Sequence, residues 1–451
     1  MKRREFLKSI GAPALAGLGG ISLLSNFDIS QAAGTNDYKA LICLFLPGGN
    51  DGNNTLIPLD AAYTDYSNAR PILALPKESL TPLNGVSAGH SFGLHPGLAP
   101  LATLYNNQRL AWIANAGPLI VPATARQVMD HALPIPSFLM SHSDQEAMQQ
   151  GWGGDADASG WAGRGLEQIP STLVNRLNAV SMGGQRTLVL GRNSPVSFMD
   201  PNGARYWGRA DLAQPQSQWA QAINNMAHWQ SSNDYEAEYA RTFGTSVSEA
   251  TLFTQVLMAA KPPQANFGSD DLANKLRSLA SVMPVFKSMG YRRQIFLVQW
   301  GGFDTHYAQR GNGPNTQDTQ LDIVGRAVAA FDQANIAAGL NLDTTTLMMS
   351  DFGRTLRPVS GAGSDHAWGN HWFVMGGAVA GGQVVGKFPS LVLGGADDAD
   401  PGRGGRMVPS TSTDQVGATV MRWMGLPAAQ LGTVFPNLIN FAQKDLGFLH
   451  S

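Results

Sequence analysis

Lys39-Ala40-Leu41-Ile42-Cys43-Leu44-Phe45-Leu46 runs straight into Pro47-Gly48-Gly49-Asn50-Asp51-Gly52-Asn53-Asn54-Thr55. The first eight residues are a short continuous apolar run bounded by a turn-rich segment, the pattern of a central strand buried on both faces. Two later stretches repeat the design. Gln294–Trp300 (QIFLVQW) ends at Gly301-Gly302-Phe303-Asp304-Thr305-His306, and Thr344–Met349 (TTTLMM) ends at Ser350-Asp351-Phe352-Gly353-Arg354-Thr355. Leu110–Ala114 is strand-like and Trp372–Val379 reads as a further strand. Helical spacing marks Leu98–Asn107, the segment from Ser143 onward, Asp318–Ala338 and Asp414–Met424. A Gly/Trp/Asp loop fills Gly151–Gly160, and residues from about 213 to 290 are mostly helical in pattern. Alternating strands and helices, with strands apolar throughout, predict a mostly parallel sheet with helices on both faces. The expected organisation is a single α/β domain over 34–451 with a helical insertion at about 213–290.

Composition narrows the function. The chain has 451 residues with 31 Lys+Arg against 33 Asp+Glu, a net charge of −2, and supplies no basic footprint for nucleic acid. Charged residues make up 14%, well below the roughly 25% of typical soluble domains, while 43% hydrophobic content excludes global disorder. The single cysteine, Cys43, rules out an intrachain disulfide and any multi-cysteine metal site. Metal chemistry would fall to histidine and carboxylate.

The N-terminus reads as an address. Lys2-Arg3-Arg4-Glu5-Phe6-Leu7-Lys8 precedes a weakly apolar run, Ser9–Leu24, and Ser30-Gln31-Ala32 offers a small-x-small cleavage site. This resembles a twin-arginine signal peptide over residues 1–33, with the mature chain starting at or near Ala33. The run is shorter than the roughly 20 residues a bilayer needs and holds Pro13. The expectation is a periplasmic protein, delivered by the twin-arginine export machinery, with no stable membrane span after cleavage.

In parallel sheets ligands gather beyond the carboxyl ends of the strands. Three strand ends here carry acidic or imidazole groups, and Gly363-Ser364-Asp365-His366-Ala367-Trp368-Gly369-Asn370-His371 follows soon after. Each has a plainer reading. Asp51-Gly52 is a turn dipeptide, Asp351 could cap a following helix, and Asp365-His366 could be a surface pair. Asp304 and His306 are two apart, so in an extended segment both side chains point the same way and suit one metal ion. Mixed oxygen and nitrogen donors favour Zn or Mn, with Fe also compatible, as one or two ions.

The succession Gly-Gly-Asn-Asp-Gly-Asn-Asn-Thr, Asp304-Thr305-His306, Ser350-Asp351-Phe352-Gly353-Arg354-Thr355 and Asp365-His366 resembles the domain-of-unknown-function 1501 family. That family of exported bacterial proteins is itself similar to the alkaline phosphatase and sulfatase superfamily. The resemblance covers about Leu41 to Leu438 and includes Thr413-Asp414-Gln415 and Phe435-Pro436-Asn437-Leu438. It implies a doubly wound, alkaline phosphatase-like α/β fold with a dinuclear metal site at the strand ends. By motif, the implied ligands are Asp51, Asp304, His306, Asp351 and His366, converging in one sphere. Two departures imply reduced coordination: Phe352 stands where the superfamily often has His, and one residue rather than three separates Asp304 from His306. The sulfatase signature is absent, since Cys43 lies within a strand.

A phosphatase of this kind needs an activated hydroxyl near a helix start. Ser143 is the first candidate, with Ser141 and Thr55 behind it, although Ser143-x-x-Glu146 also reads as a capping box. His142 could be ligand, acid or neither. Arg354 could hold phosphate bidentately or simply pair with a carboxylate. Trp300, Phe303, Trp368 and Trp372 would pack a rim or suit a glycan or aryl ester. Two functions follow: an exported metal-dependent hydrolase of phosphate or related small-molecule or glycan esters, or a non-catalytic periplasmic binding or assembly protein on a degenerate phosphatase-like fold.

Overall fold

The computed structural model describes residues 37–151, 158–201, 209, 212 and 214–450. The signal-peptide assignment at 1–33 lies outside the described residues, as do positions 152–157 of the Gly/Trp/Asp loop and 213 at the start of the expected insertion. The strands are β1 Lys39–Leu46, β2 Leu56–Pro58, β3 Thr81–Pro82, β4 Phe92–Leu94, β5 Leu110–Gly117, β6 Ala179–Met182, β7 Ser197–Phe198, β8 Arg293–Gln299, β9 Thr344–Ser350, β10 Asn370–Gly376, β11 Val384–Val385 and β12 Thr411–Ser412. Among the described residues, nine of them form one sheet in the order β11-β5-β10-β9-β1-β8-β6-β7, with β12 beside β5, while β2, β4 and β3 make a small second sheet. The architecture is a mixed, mostly parallel α/β sheet.

β1 sits in the middle, parallel to β8 on one side and β9 on the other. Leu41, Cys43 and Phe45 pack with Leu297, Leu347 and Met349 beneath the helices Trp161–Gln168 and Thr413–Trp423. The alternate residues Ile42, Leu44 and Leu46 are equally buried. Both faces of β1 are therefore out of water, which is why its sequence shows no polar alternation.

The expected fourth strand runs as β10, but it ends at Gly376 and lies antiparallel to both β5 and β9. A parallel partner would need a crossover carrying the chain back along the sheet. The link 351–369 contains no helix and stays at the end of β9, so the next strand must start from that same edge.

By spatial contacts the chain divides into two compact units, one holding 199–262 and 281–290, the other 37–198, 263–280 and 291–451. The first contains the helices Gln218–Ala227 and Asp234–Ala259, in the stretch expected to be helical. The second holds both sheets and every candidate site residue. No described helix is long and apolar enough to cross a membrane.

The helix Thr413–Trp423 opens with a capping box of Ser412 and Gln415. Next to it, Asp414 Oδ2 is shielded from water and has no hydrogen-bond partner among the described residues. Burial pushes this carboxyl up to about 7, overriding the Asn437 amide and Arg164, which pull it down. The unfolded group titrates near 3.8, so the folded protein keeps this proton to higher pH than the unfolded chain. The group's contribution is complete below the unfolded value. It declines as pH rises to about 7, by roughly 1.4 kcal/mol for each step of one in pH. Asp414→Asn is expected to gain stability over wild type progressively between pH 4 and 7. Urea midpoints for both proteins across that range test this, and a constant difference would refute it.

Candidate functional site

The register of the three central strands brings their ends together. Phe45 lies opposite Gln299 and Leu46 opposite Ser350, so the chain leaves β1, β8 and β9 at one edge of the sheet. The turn after β1 is built from two glycines with left-handed backbone, Gly48 (φ +107°) and Gly49 (φ +75°). A Cβ on Gly48 would lie 2.6 Å from the Asp304 nitrogen, and one on Gly49 would lie 2.4 Å from the Phe352 ring. Only glycine fits there. The turn's amides point at Asp351: Gly48 N–H donates to Oδ2 at 3.2 Å and Gly49 N–H to Oδ1 at 2.6 Å.

Asp351 is fully buried and passes this order on. Its Oδ2 accepts from His142 Nδ1 at 2.7 Å, across from the start of the helix His142–Gln150. That bond fixes the His142 tautomer and leaves Nε2 bare. His366 is arranged alike, its Nδ1 donating to the Met140 carbonyl at 2.8 Å. His366 Nε2 then meets His306 Nε2 at 2.9 Å. Asp304 Oδ1 lies at the centre, 3.0 Å from His306 Nε2, 3.2 Å from His366 Nε2 and 3.5 Å from His142 Nε2. Three imidazoles thus present the same nitrogen to one carboxylate oxygen. At that distance the two nitrogens either share a hydrogen bond or hold a cation between them. His142 Nε2 is itself buried, with no hydrogen-bond partner among the described residues.

Electrostatics follow from this packing. Burial alone would raise the Asp304 carboxyl, but the Arg354 guanidinium at 2.5 Å and the neighbouring histidines hold it down at about 2. The Asp351 hydrogen bond raises the His142 pKa against its burial. His366 is lowered, first by burial and then by the Arg354 charge and the neighbouring His142. His366 is also braced from behind, since Arg406 Nε donates to its carbonyl at 2.9 Å and its own amide donates to Asp365 Oδ1 at 2.8 Å.

The expected residues divide. Asp304, His306 and His366 come together, and His142 joins them. Asp351 is adjacent, but its oxygens are taken by His142, two backbone amides and the Ser350 hydroxyl. It caps no helix, because none follows β9 directly.

Asp51 does not enter the cluster. It is buried in an ion pair with Arg70, accepts from Gln309 Nε2 at 2.6 Å, and shapes its own turn by accepting from the Asn53 amide at 3.1 Å. The single ligand sphere expected for all five residues is therefore not formed.

Arg354 spends its donors inside the protein. It is 2% exposed, and its guanidinium donates to the carbonyls of Gly48, Gly49, Phe303 and Ser364 as well as to Asp304. Thr55 is buried and donates to the Asp51 carbonyl at 2.8 Å. Ser143 lies exposed in the first turn of its helix, with Oγ 3.3 Å from Asp144 Oδ2 and from Ser141 Oγ. Ser141, not Ser143, is the N-cap residue, so the expected Ser143–Glu146 capping box is absent, and the Ser141 hydroxyl turns to Asp144 instead. Among the described residues, none of the three hydroxyls bonds to the imidazole cluster. Trp368 and Trp372 are core residues, each 2% exposed or less.

Sequence reasoning named His142 as a catalytic candidate without settling its role, read Asp365 only as half of a pair with His366, and passed over Arg406. Nothing local marks them. The adjacency of His142 to a helix start was visible, but its distance to Asp304 arises from chain segments 162 positions apart.

The sequence profile of DUF1501, a protein family of unknown function, matches residues 38–401. The chain belongs to the DUF1501 family. No curated protein matches it by sequence. Among solved structures it is similar to the lipoteichoic acid synthase LtaP from Listeria monocytogenes, at 9% identity over 89% of this chain and 76% of that one, with a TM-score of 0.34.

Proposed function

We propose that this DUF1501 protein is a metal-dependent hydrolase of phosphate-type esters on an alkaline phosphatase-like, doubly wound sheet. The observation that carries the reading is the convergence of three imidazole Nε2 atoms on Asp304 Oδ1, with the Nδ1 atoms of His142 and His366 tied to oxygen acceptors. Outer carboxylates and carbonyls hold metal-bound histidines in this way.

The donors fit a transition ion. Two groups of three have ligand atoms within 4.8 Å of one another, His142/Asp304/His366 and His306/Asp365/His366. Both use His366, whose Nδ1 is already committed to Met140, so its remaining nitrogen serves one ion at a time. Asp51 is withdrawn into its pair with Arg70. The site therefore suits a single Zn or Mn held by His142, Asp304, His306 and His366.

Such an ion would neutralise charge on the transferring group and activate water. The chain's own contribution is placement. Arg354 keeps Asp304 ionised, Asp351 keeps the His142 Nε2 lone pair turned inward, and Arg406 with Asp365 fixes the His366 backbone. Because Ser143, Ser141 and Thr55 make their bonds elsewhere, water is the nucleophile in this reading.

Metal analysis of protein purified without chelator, followed by assay on phosphate mono- and diesters, tests the proposal. About one equivalent of metal together with ester hydrolysis supports it. A metal-free, folded protein would refute it. Metal-loaded protein inert on every ester would favour the binding or assembly reading, which the bonding of Ser143, Ser141 and Thr55 away from the cluster also favours.

We also propose that residues 1–33 direct twin-arginine export to the periplasm, on the strength of Arg3-Arg4 and the weak apolar run behind them. Arg3→Lys together with Arg4→Lys should leave the precursor in the cytoplasm on fractionation. Unchanged periplasmic yield would contradict the assignment.

A further inference from the structure

Glu146 is a carboxyl group that the site as described does not use. It lies one helical turn after His142 on the helix His142–Gln150, so both side chains leave the same face. It is half-buried, and its Oε1 accepts from Gln150 Nε2 at 3.0 Å and Gln299 Nε2 at 3.4 Å. Gln299 ends β8, and the next five residues lead to Asp304. The carboxyl is thus pinned by one oxygen above the strand end that carries the cluster, while Oε2 has no hydrogen-bond partner among the described residues.

The two groups that hold Oε1 are neutral amides rather than cations. Burial, and next the Asp351 charge, raise its pKa, against the Gln150 and Gln299 amides and His142, which lower it. A carboxyl one helical turn from His142, fixed by one oxygen and free at the other, is placed to give a proton to a departing group.

We propose that Glu146 is the proton donor to the leaving oxygen in ester hydrolysis at this site. The inference rests on the hydrolase reading above. As the bond between phosphorus and the leaving oxygen breaks, the Glu146 proton passes to that oxygen and the alcohol departs. Water supplies the oxygen of the new bond to phosphorus, and the proton that water gives up restores the Glu146 carboxyl. The role points to substrates whose alcohol is a poor leaving group, such as alkyl or sugar phosphates, since a stabilised phenolate departs without a proton.

Glu146→Gln keeps the shape and an acceptor for Gln150 and Gln299, but has no acidic proton. The experiment compares kcat/KM of wild type and variant on an alkyl phosphate and on p-nitrophenyl phosphate, with metal content measured on both proteins. The expected result is a loss of about 10²–10⁴-fold on the alkyl ester, little change on p-nitrophenyl phosphate, and unaltered metal content. Equal losses on both esters, or no loss on either, would overturn the proposal. If wild type binds metal yet cleaves neither ester, the hydrolase reading falls and takes this role with it. If wild type cleaves both and the variant matches it, only the role of Glu146 falls.

Discussion

His366→Ala is expected to yield protein that no longer retains metal through gel filtration, whereas wild type keeps about one equivalent. His366 is the residue both donor groups share, and its ring closes on His306 at 2.9 Å and on Asp304 at 3.2 Å. Removing it breaks both donor groups and leaves the proposed ion only His142, Asp304 and His306. Asp351→Asn provides the graded comparison. Among the described residues, Asp351 bonds directly to the proposed ligands through His142 Nδ1, so the variant should bind the same number of ions with affinity about 10–100-fold weaker. Elemental analysis with chelator competition gives both values. Full metal retention by His366→Ala would remove the centre from consideration. A change in stoichiometry for Asp351→Asn would instead return Asp351 to the ligand set.

Arg70→Met is expected to lower stability by about 3–5 kcal/mol, the typical consequence of breaking a buried pair and leaving one charge behind. Arg70 and Asp51 are both 0% exposed at the side chain, and Arg70 also donates to Asn54 Oδ1 at 3.1 Å and to the Thr355 carbonyl at 3.0 Å. Loss of the guanidinium strands the Asp51 carboxylate with only an amide side chain, from Gln309, and a backbone N–H. Adding Asp51→Asn to that variant should recover part of the loss, because the stranded charge disappears. Urea unfolding of wild type, the single variant and the double variant measures both effects. Asp51→Asn alone should leave metal content unchanged. A stability loss below about 1 kcal/mol for Arg70→Met would overturn the buried-pair account, and metal loss in Asp51→Asn would return Asp51 to the ligand set.

Much of this protein was legible before folding was considered. The apolar runs at Lys39–Leu46, Gln294–Trp300 and Thr344–Met349 announce buried strands because a strand covered on both faces has no reason to alternate. Observed β1, β8 and β9 coincide with them to within a residue or so. The Asp304-x-His306 spacing likewise states that two side chains share a side, which is a property of extended backbone alone.

What the sequence could not decide was which polar groups spend their bonds on each other. Asp51 and Asp304 both follow strand ends and look equivalent in one dimension. One is buried against Arg70, from 19 positions away, while the other faces three imidazoles. Arg354 has the composition of an anion clamp, yet four carbonyls and Asp304 occupy it. His142 gains its place because Asp351, 209 positions later, accepts its Nδ1 proton. Local spacing fixes strands, turns and the direction of neighbouring side chains, since those depend on dihedral angles and periodicity. Partner choice depends on distances between segments hundreds of residues apart. Only the packing of β8, β1 and β9 into one edge sets those distances.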